Sequence, residues 1–200
     1  MLRVGLTGSI AVGKSYVCSV LREAGCAVLD ADLTAREVVA RGTEGLAEIV
    51  RHFGPEMLTA DGELDRKRLG AIVFDDAEKR ELLNSIVHPR VFESQNAWLA
   101  AAEAADPDGI AFVDAALMIE SGGYRRFNKL VVVWCEPAIQ LQRLMLRDNL
   151  TETEAAKRIA AQMPQDEKKR FADHLIDTSH GFEDTRGQTL EILEKLRTSG

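Results

Sequence analysis

The sequence holds little with which to staple itself. Its three cysteines, Cys18, Cys26 and Cys135, form no Cys-x-x-Cys pair and no zinc spacing, so neither a disulfide framework nor a structural metal is expected. Each lies among apolar neighbours and is read as a small buried hydrophobe in a reducing compartment. No run approaches the ~18 consecutive apolar residues that span a bilayer, and no basic segment leads into an apolar stretch at the N-terminus. The expectation is a soluble, unprocessed, cytoplasmic protein with no membrane partner, a monomer or weak homo-oligomer. Positive charge is short as well: 25 Lys and Arg against 32 Asp and Glu leave a net charge of −7. A field of that sign repels phosphate polymers and argues against a nucleic-acid partner. An anionic small molecule has to be drawn in by a local cationic site.

What the 200 residues do contain is enough chain for one domain with insertions. Short β-rich runs alternate with helical patterns, and Leu2–Leu6, Ala27–Asp30, Ile110–Asp114, Lys129–Trp134 and Leu175–Asp177 are predicted strands. Several are near-continuous apolar runs, the pattern of buried parallel strands. A helix is expected over Lys14–Ala24, with Val17, Val20 and Leu21 on one face and Gly25 as its C-terminal cap. Strand, helix and strand make a right-handed crossover. The fold class is therefore α/β, a parallel sheet of these strands flanked by helices.

Two stretches interrupt the alternation. Leu33 to Ala105 shows no convincing strand, and short helices are expected there, broken at Gly42, Gly54-Pro55, Asp61-Gly62 and His88-Pro89. A second helical excursion, Pro137 to Ala172, contains Thr151-Glu152-Thr153-Glu154, a capping box that opens a new helix after Asn149-Leu150. Two helices meeting at such a polar corner resemble a lid. The expected organisation is a nucleotide-binding core of residues 1–32, 106–136 and 173–200, a helical insertion at 33–105, and a lid at 137–172. The last helix, Phe182–Arg197, is ordinarily amphipathic, and there is no internal repeat.

Chemistry is concentrated near the start. Gly8-Ser9-Ile10-Ala11-Val12-Gly13-Lys14-Ser15 matches GxxxxGK[ST], follows a predicted strand and opens a predicted helix. Backbone N–H groups of such a loop and of the helix N-terminus converge on an anion, and glycine removes side chains that would block its approach. Lys14 reaches the β- and γ-phosphates and the Ser15 hydroxyl ligates Mg²⁺. A dinucleotide-binding reading fails because Ile10 stands where glycine is needed. A phosphate cradle alone leaves open a small-molecule kinase, a GTPase switch or an ATP-dependent binding module. The guanine-reading NKxD motif is missing: Asn128-Lys129-Leu130-Val131 lacks the aspartate and begins a strand. Asp30-Ala31-Asp32 ends the second strand with two carboxylates where doubly wound folds bind ligands. Asp32 is either a catalytic base or metal partner there, or the N-cap of a helix beginning at Leu33.

GLTGSIAVGKS, Asp30-Ala31-Asp32, Leu64-Asp65-Arg66, His88-Pro89, Gln162 with Lys168, and Ala172-Asp173 fall in the order found in dephospho-coenzyme A kinases, which this chain resembles over nearly its whole length. The resemblance implies a P-loop core, a helical CoA-side domain and a lid, with ATP phosphorylating the ribose 3′-hydroxyl of dephospho-CoA. It assigns the general base to Asp32 and phosphate contacts in the lid to Arg147 and, second, Arg143. The nucleotide-binding segment it marks is Gly8, Ser9, Ile10, Ala11, Val12, Gly13, Lys14, Ser15 and Tyr16. Departures are visible: the family's inner P-loop glycines are Ser9 and Ala11, Ala116-Leu117-Met118-Ile119-Glu120 lacks the usual leading proline, and Asp177-Thr178 stands for Asp-Asn. Another kinase of the nucleoside-monophosphate type and a binding module without acceptor are the alternatives.

Other residues carry two readings. Asp114, ending the apolar strand from Ile110, is placed like a Walker B aspartate that holds Mg²⁺ through water. His88 before Pro89 either contacts substrate or is structural, at a helix-ending turn. Gln140, Arg143 and Arg147 share one helix face, either a solvated one or a set of groups for anionic phosphates. Arg66, Lys67 and Arg68 cluster in the insertion, facing either solvent or the substrate's pyrophosphate.

Overall fold

A computed structural model describes residues 1–198. Five parallel strands, β1 (Leu2–Thr7), β2 (Ala27–Asp30), β3 (Ile110–Asp114), β4 (Lys129–Trp134) and β5 (His174–Asp177), form one sheet in the order β2-β3-β1-β4-β5. All the expected strands are present, β1 and β5 each one residue longer. The central strands are hydrophobic on both sides because both faces of the sheet are covered. Val4, Leu6, Ile110, Phe112, Val131, Val133 and Ile176 point to one face and form a buried cluster. Helix α1 (Lys14–Glu23) adds Val17, Cys18 and Leu21 to that cluster, and the last helix, Phe182–Thr198, adds Ile192, Leu193 and Leu196.

Parallel strands put all their carboxyl ends on one edge. The register sets Asp30 opposite Asp114 and Leu6 beside Asp114, so two carboxylates and the end of β1 meet there. The chain turns at that edge after β1 and reverses strand order on either side of it, the place where open α/β sheets bind ligands.

Chain contacts separate Ala31–Ala101 from a first unit of Met1–Asp30 and Ala102 onward. The second unit is helical, with α2 (Ala31–Glu37), α3 (Glu44–Phe53), α4 (Arg66–Phe74) and most of α5 (Ala77–Ala105). Thr43 and Asp65 cap α3 and α4, accepting from the Leu46 and Arg68 amides at 3.2 and 2.9 Å. Val39, Ile49, Met57, Leu69 and Ile86 make its core. The expected break at His88-Pro89 is absent: α5 runs through Pro89. A proline inside a helix removes one N–H and crowds the preceding turn. Two features offset this. Ile86 and Val91 on either side are buried, and the Arg90 guanidinium donates to the Ile86 carbonyl at 2.7 Å and to Glu48 at 2.6 Å. His88 therefore lies within a helix, its ring 6.0 Å from that of Phe92. The remaining helices of the first unit are α6 (Pro137–Asp148), α7 (Glu152–Ala160), α8 (Gln165–Lys169) and α9 (Phe182–Thr198), and Thr151 and Glu154 complete the expected capping box of α7.

Arg90→Met keeps the aliphatic stem and removes both hydrogen bonds. The expected result is a loss of about 1–2 kcal/mol, read as a lower thermal midpoint; a midpoint equal to that of the parent protein would show that burial alone carries the helix through Pro89.

Candidate active site

The loop from Gly8 to Gly13 leaves β1 and enters α1. A Cβ at Gly8 would run into the Val133 carbonyl oxygen, so the loop passes over β4 at a distance only glycine permits. Ala11 and Gly13 take left-handed backbone conformations, with φ of 61° and 90°. Alternating handedness of this kind turns successive amides toward one concave side. The carbonyls go the other way and are met by side chains. Thr178 Oγ1 donates to the Val12 carbonyl at 2.7 Å, and Gln140 Nε2 donates to the Ile10 carbonyl at 2.8 Å. Lys14 opens α1; its amide and that of Ser15 precede the first turn's bond, from the Tyr16 N–H to the Gly13 carbonyl at 3.0 Å, and form the positive end of the helix dipole.

Lys14 Nζ is paired with Asp114 Oδ1, and the two side chains are only 16% and 10% exposed. Cys18, one turn along α1, donates its thiol to Asp114 Oδ2 at 3.3 Å. Burial, with the Asp114 charge adding to it, pushes the Cys18 thiol up to about 12, so it stays a donor at any ordinary pH. Asp114 is thus the acceptor shared by an ammonium and a thiol. Ser15 is exposed, and the half-buried Tyr16 packs its ring 4.7 Å from that of Phe182.

Gln140 and Arg143 of α6 do not lie on a solvated face. Gln140 is 2% exposed, and Arg143 donates twice to Thr178, at 2.8 Å to both its hydroxyl and its carbonyl oxygen. Arg143 thereby supports the threonine that holds the Val12 carbonyl. Arg147, one turn further, is more than half exposed and shares Asp148 with Arg158. Asp32 also differs from one of its two readings. Helix α2 begins at Ala31, so Asp32 is an exposed residue of the first turn and not the N-cap. In the insertion, Arg66 donates to the Arg36 carbonyl and Arg68 to that of Glu56, while Lys67 and Arg68 line a cavity of about 490 Å³ with Asp65, Ala71 and Ile72.

Sequence reasoning gave no role to four residues that the structure brings in. Gln162 Oε1 accepts from the Ile10 amide at 2.7 Å. Gln165 bonds Gln140 at 2.8 Å and accepts from the Cys135 amide. Lys168 is fully buried, donating to the Ala116 carbonyl at 2.8 Å and pairing with Glu120 at 2.9 Å. Thr178 holds Val12. Three of these sit in a polar stretch without periodicity, and Gln162 and Lys168 entered only as markers of a resemblance.

Among the described residues there is no cluster of three or more acidic, His or Cys side chains able to cage a metal, and no helix long and apolar enough to cross a membrane. An amide-lined loop on the central strand, with its lysine held against the carboxylate that ends the neighbouring strand, is a device for binding and transferring phosphoryl groups, and the strand order around it is that of a P-loop kinase. Residues 2–184 match the family model described as dephospho-CoA kinase. A protein named dephospho-CoA kinase from Listeria monocytogenes is 47% identical over 197 residues, covering 96% of either chain, and a dephospho-CoA kinase domain-containing protein of Danio rerio is 48% identical over 199 residues, covering 98% of this chain and 86% of its own. Among solved structures, a Thermus thermophilus protein superposes with a TM-score of 0.85 at 30% identity, covering 98% and 97% of the two chains, and the dephospho-CoA kinase of Campylobacter jejuni with 0.73 at 26%, covering 98% of both. The shikimate kinase of Bacteroides thetaiotaomicron, at 14% identity, 98% coverage of both chains and a TM-score of 0.50, shares the fold. The chain belongs to the dephospho-CoA kinase family, ATP-using transferases of coenzyme A biosynthesis that phosphorylate dephospho-CoA.

The state of Cys18 is open to a direct test. With the thiol pushed to about 12, on the order of one molecule in 10⁴ carries a thiolate there at pH 8. Iodoacetamide at that pH should leave Cys18 unmodified in the folded protein and label it after denaturation, as peptide mapping reads; labelling of the folded protein at the rate of a free thiol would overturn the assignment.

Proposed function

We propose that the enzyme transfers the γ-phosphoryl group of ATP to the ribose 3′-hydroxyl of dephospho-CoA, with Gly8 to Tyr16 holding the nucleotide, Lys14 and Arg147 stabilising the transferred group, and Asp32 acting as base. The observation that supports this reading best is the buried Lys14–Asp114 pair beneath the loop. An ammonium desolvated against one carboxylate is poised to exchange that partner for the β- and γ-phosphates, where it opposes charge that grows as transfer proceeds.

Asp32 lies two residues beyond Asp30 at the end of β2. In this reading its carboxylate takes the proton of the 3′-hydroxyl as that oxygen bonds to the γ-phosphorus, while the bond from phosphorus to the bridging oxygen breaks and ADP leaves with the electron pair. Lys14 and the α1 amides neutralise the phosphates throughout. The donors present suit Mg²⁺: the Ser15 hydroxyl and the Asp114 carboxylate are hard oxygens, and their small number fits an ion that shares its coordination with phosphates and water. When bound, the ion would neutralise phosphate charge. Residues 33–105 are assigned to the CoA moiety, with Arg66, Lys67 and Arg68 as its phosphate contacts. Residues 137–172 are assigned to a lid that keeps water from the γ-phosphate. Arg147 acts from its exposed end, and Arg143 borders the nucleotide through Thr178. We take the protein to work in the cytoplasm as a monomer or weak homo-oligomer.

Two substitutions test the roles. Lys14→Ala should cost on the order of 3–4 kcal/mol of transition-state stabilisation, the scale of one preorganised electrostatic contact, with circular dichroism unchanged; turnover near that of the parent at saturating ATP would remove the loop from the reaction.

Asp32→Asn keeps the shape and removes charge and basicity. Because Asp32 is in the first turn of α2 and is not its cap, the lost helix-dipole interaction is worth only about 0.3–1 kcal/mol. Turnover should fall by ~10² to 10⁴ while the thermal midpoint moves by a few degrees at most, both read on one preparation; unchanged CoA formation would exclude Asp32 as the base.

A further inference from the structure

We propose that Gln140 and Gln162 are positioning residues that clamp the backbone of Ile10 and so aim the Ala11 amide at the phosphates of ATP. The two glutamines approach Ile10 from opposite sides: Gln162 Oε1 accepts its N–H at 2.7 Å and Gln140 Nε2 donates to its carbonyl at 2.8 Å. Gln140 is itself locked. Its Oε1 accepts from Gln165 Nε2 at 2.8 Å, and Gln165 Oε1 accepts from the Cys135 amide at 3.1 Å. Each amide oxygen and nitrogen of Gln140 and Gln165 has one assigned partner, and Gln140 is 2% exposed, so neither end of its side chain can exchange with water freely.

The consequence follows from the planarity of the peptide. A trans peptide holds the carbonyl of one residue and the N–H of the next on opposite sides. With the Ile10 oxygen fixed on Gln140, the Ala11 N–H points the other way, into the concave side of the loop. Ala11 is also the residue that needs the help. Its φ of 61° is left-handed, and unlike Gly13 it carries a Cβ that resists that conformation. Such residues persist where their surroundings over-determine them. The Ile10 N–H is spent on Gln162 and takes no part in phosphate binding. Gln162 lies between α7 and α8, Gln165 opens α8 and Gln140 is on α6, so the segment that follows α7 is tied to the phosphate loop directly by Gln162 and, through Gln140, by Gln165.

This inference rests on the reading of Gly8–Ser15 as the phosphate-binding loop, and Lys14→Ala tests that reading separately. Gln140→Leu and Gln162→Leu should each raise the KM for ATP about tenfold, the equivalent of one buried hydrogen bond lost, and leave the KM for dephospho-CoA within twofold. Gln162→Glu retains an oxygen acceptor for the Ile10 amide and should restore the ATP KM. Gln140→Glu sets an oxygen against the Ile10 carbonyl and should not. A general weakening of the fold would lower the thermal midpoint of all four variants without separating the two KM values or the two glutamates. The clamp is overturned if both leucine variants keep the parent ATP KM, or if Gln162→Glu is as impaired as Gln162→Leu. Should Gln140→Leu fail to fold, the comparison at position 162 still decides. Loss of turnover in Lys14→Ala alongside parent-like glutamine variants rejects the clamp only; parent-like Lys14→Ala rejects the loop assignment itself.

Discussion

A loop that binds an anion with its backbone amides has to place its carbonyls somewhere else. Water cannot serve wherever the loop lies over a packed sheet, and an unpaired carbonyl there costs as much as a lost hydrogen bond. In this chain the two critical carbonyls, Ile10 and Val12, are taken by Gln140 from α6 and Thr178 from the residue after β5. Much of the first unit can be understood as the support of those two contacts. Arg143 holds Thr178, Gln165 holds Gln140, and Lys168 ties α8 to the Ala116 carbonyl and Glu120. Of the polar residues from 137 to 169, Gln140, Arg143, Gln165 and Lys168 bond backbone, whereas α7 keeps an exposed polar face.

The same edge of the sheet concentrates charge in a dry place. Asp114 is 7% exposed as a residue and yet ionic, its oxygens engaged by Lys14 and Cys18. Removing water from two opposite charges is costly unless the remaining lone pairs are met, and the thiol meets one of them without adding charge. Burial keeps that thiol protonated. A cysteine at position 18 is therefore more than a small hydrophobe: it donates to the carboxylate that holds Lys14.

What was legible in the sequence was whatever depends on local pattern. Apolar runs such as Leu130-Val131-Val132-Val133 identify buried strands, Thr151 to Glu154 spells a cap, and Gly8 to Ser15 spells a phosphate loop. Pro89 misled because a helix break is a local inference, whereas the burial of Ile86 and Val91 and the reach of Arg90 to Glu48 are tertiary. The cap reading of Asp32 failed because α2 begins at Ala31, two residues before the expected Leu33. Helix spacing put Gln140 on a face with Arg143 and Arg147, and Gln162 marked a resemblance, but nothing local pointed either glutamine at Ile10. Gln140 and Ile10 are 130 residues apart, and Gln162 and Ile10 are 152; no periodicity links a side-chain amide to a backbone so distant, and only the fold shows that the polar stretch after α7 serves the loop.

The acidic balance of the chain, −7 overall, sits beside a family whose substrates are anionic. Net charge does not resolve this, since several basic side chains in the first unit are already engaged: Arg143 on Thr178, Arg147 and Arg158 on Asp148, Lys168 on Glu120. In the proposed reading the attraction comes chiefly from groups fixed in direction, the amides of the loop and the first turn of α1, joined by Lys14 when it leaves Asp114. Such dipoles act within a few ångströms and cost no reorganisation when the anion arrives, whereas surface charges are screened over about a Debye length. An acidic exterior is thus compatible with a phosphate site so long as the backbone that forms the site is held rigid, which returns the burden to the side chains that hold Ile10 and Val12.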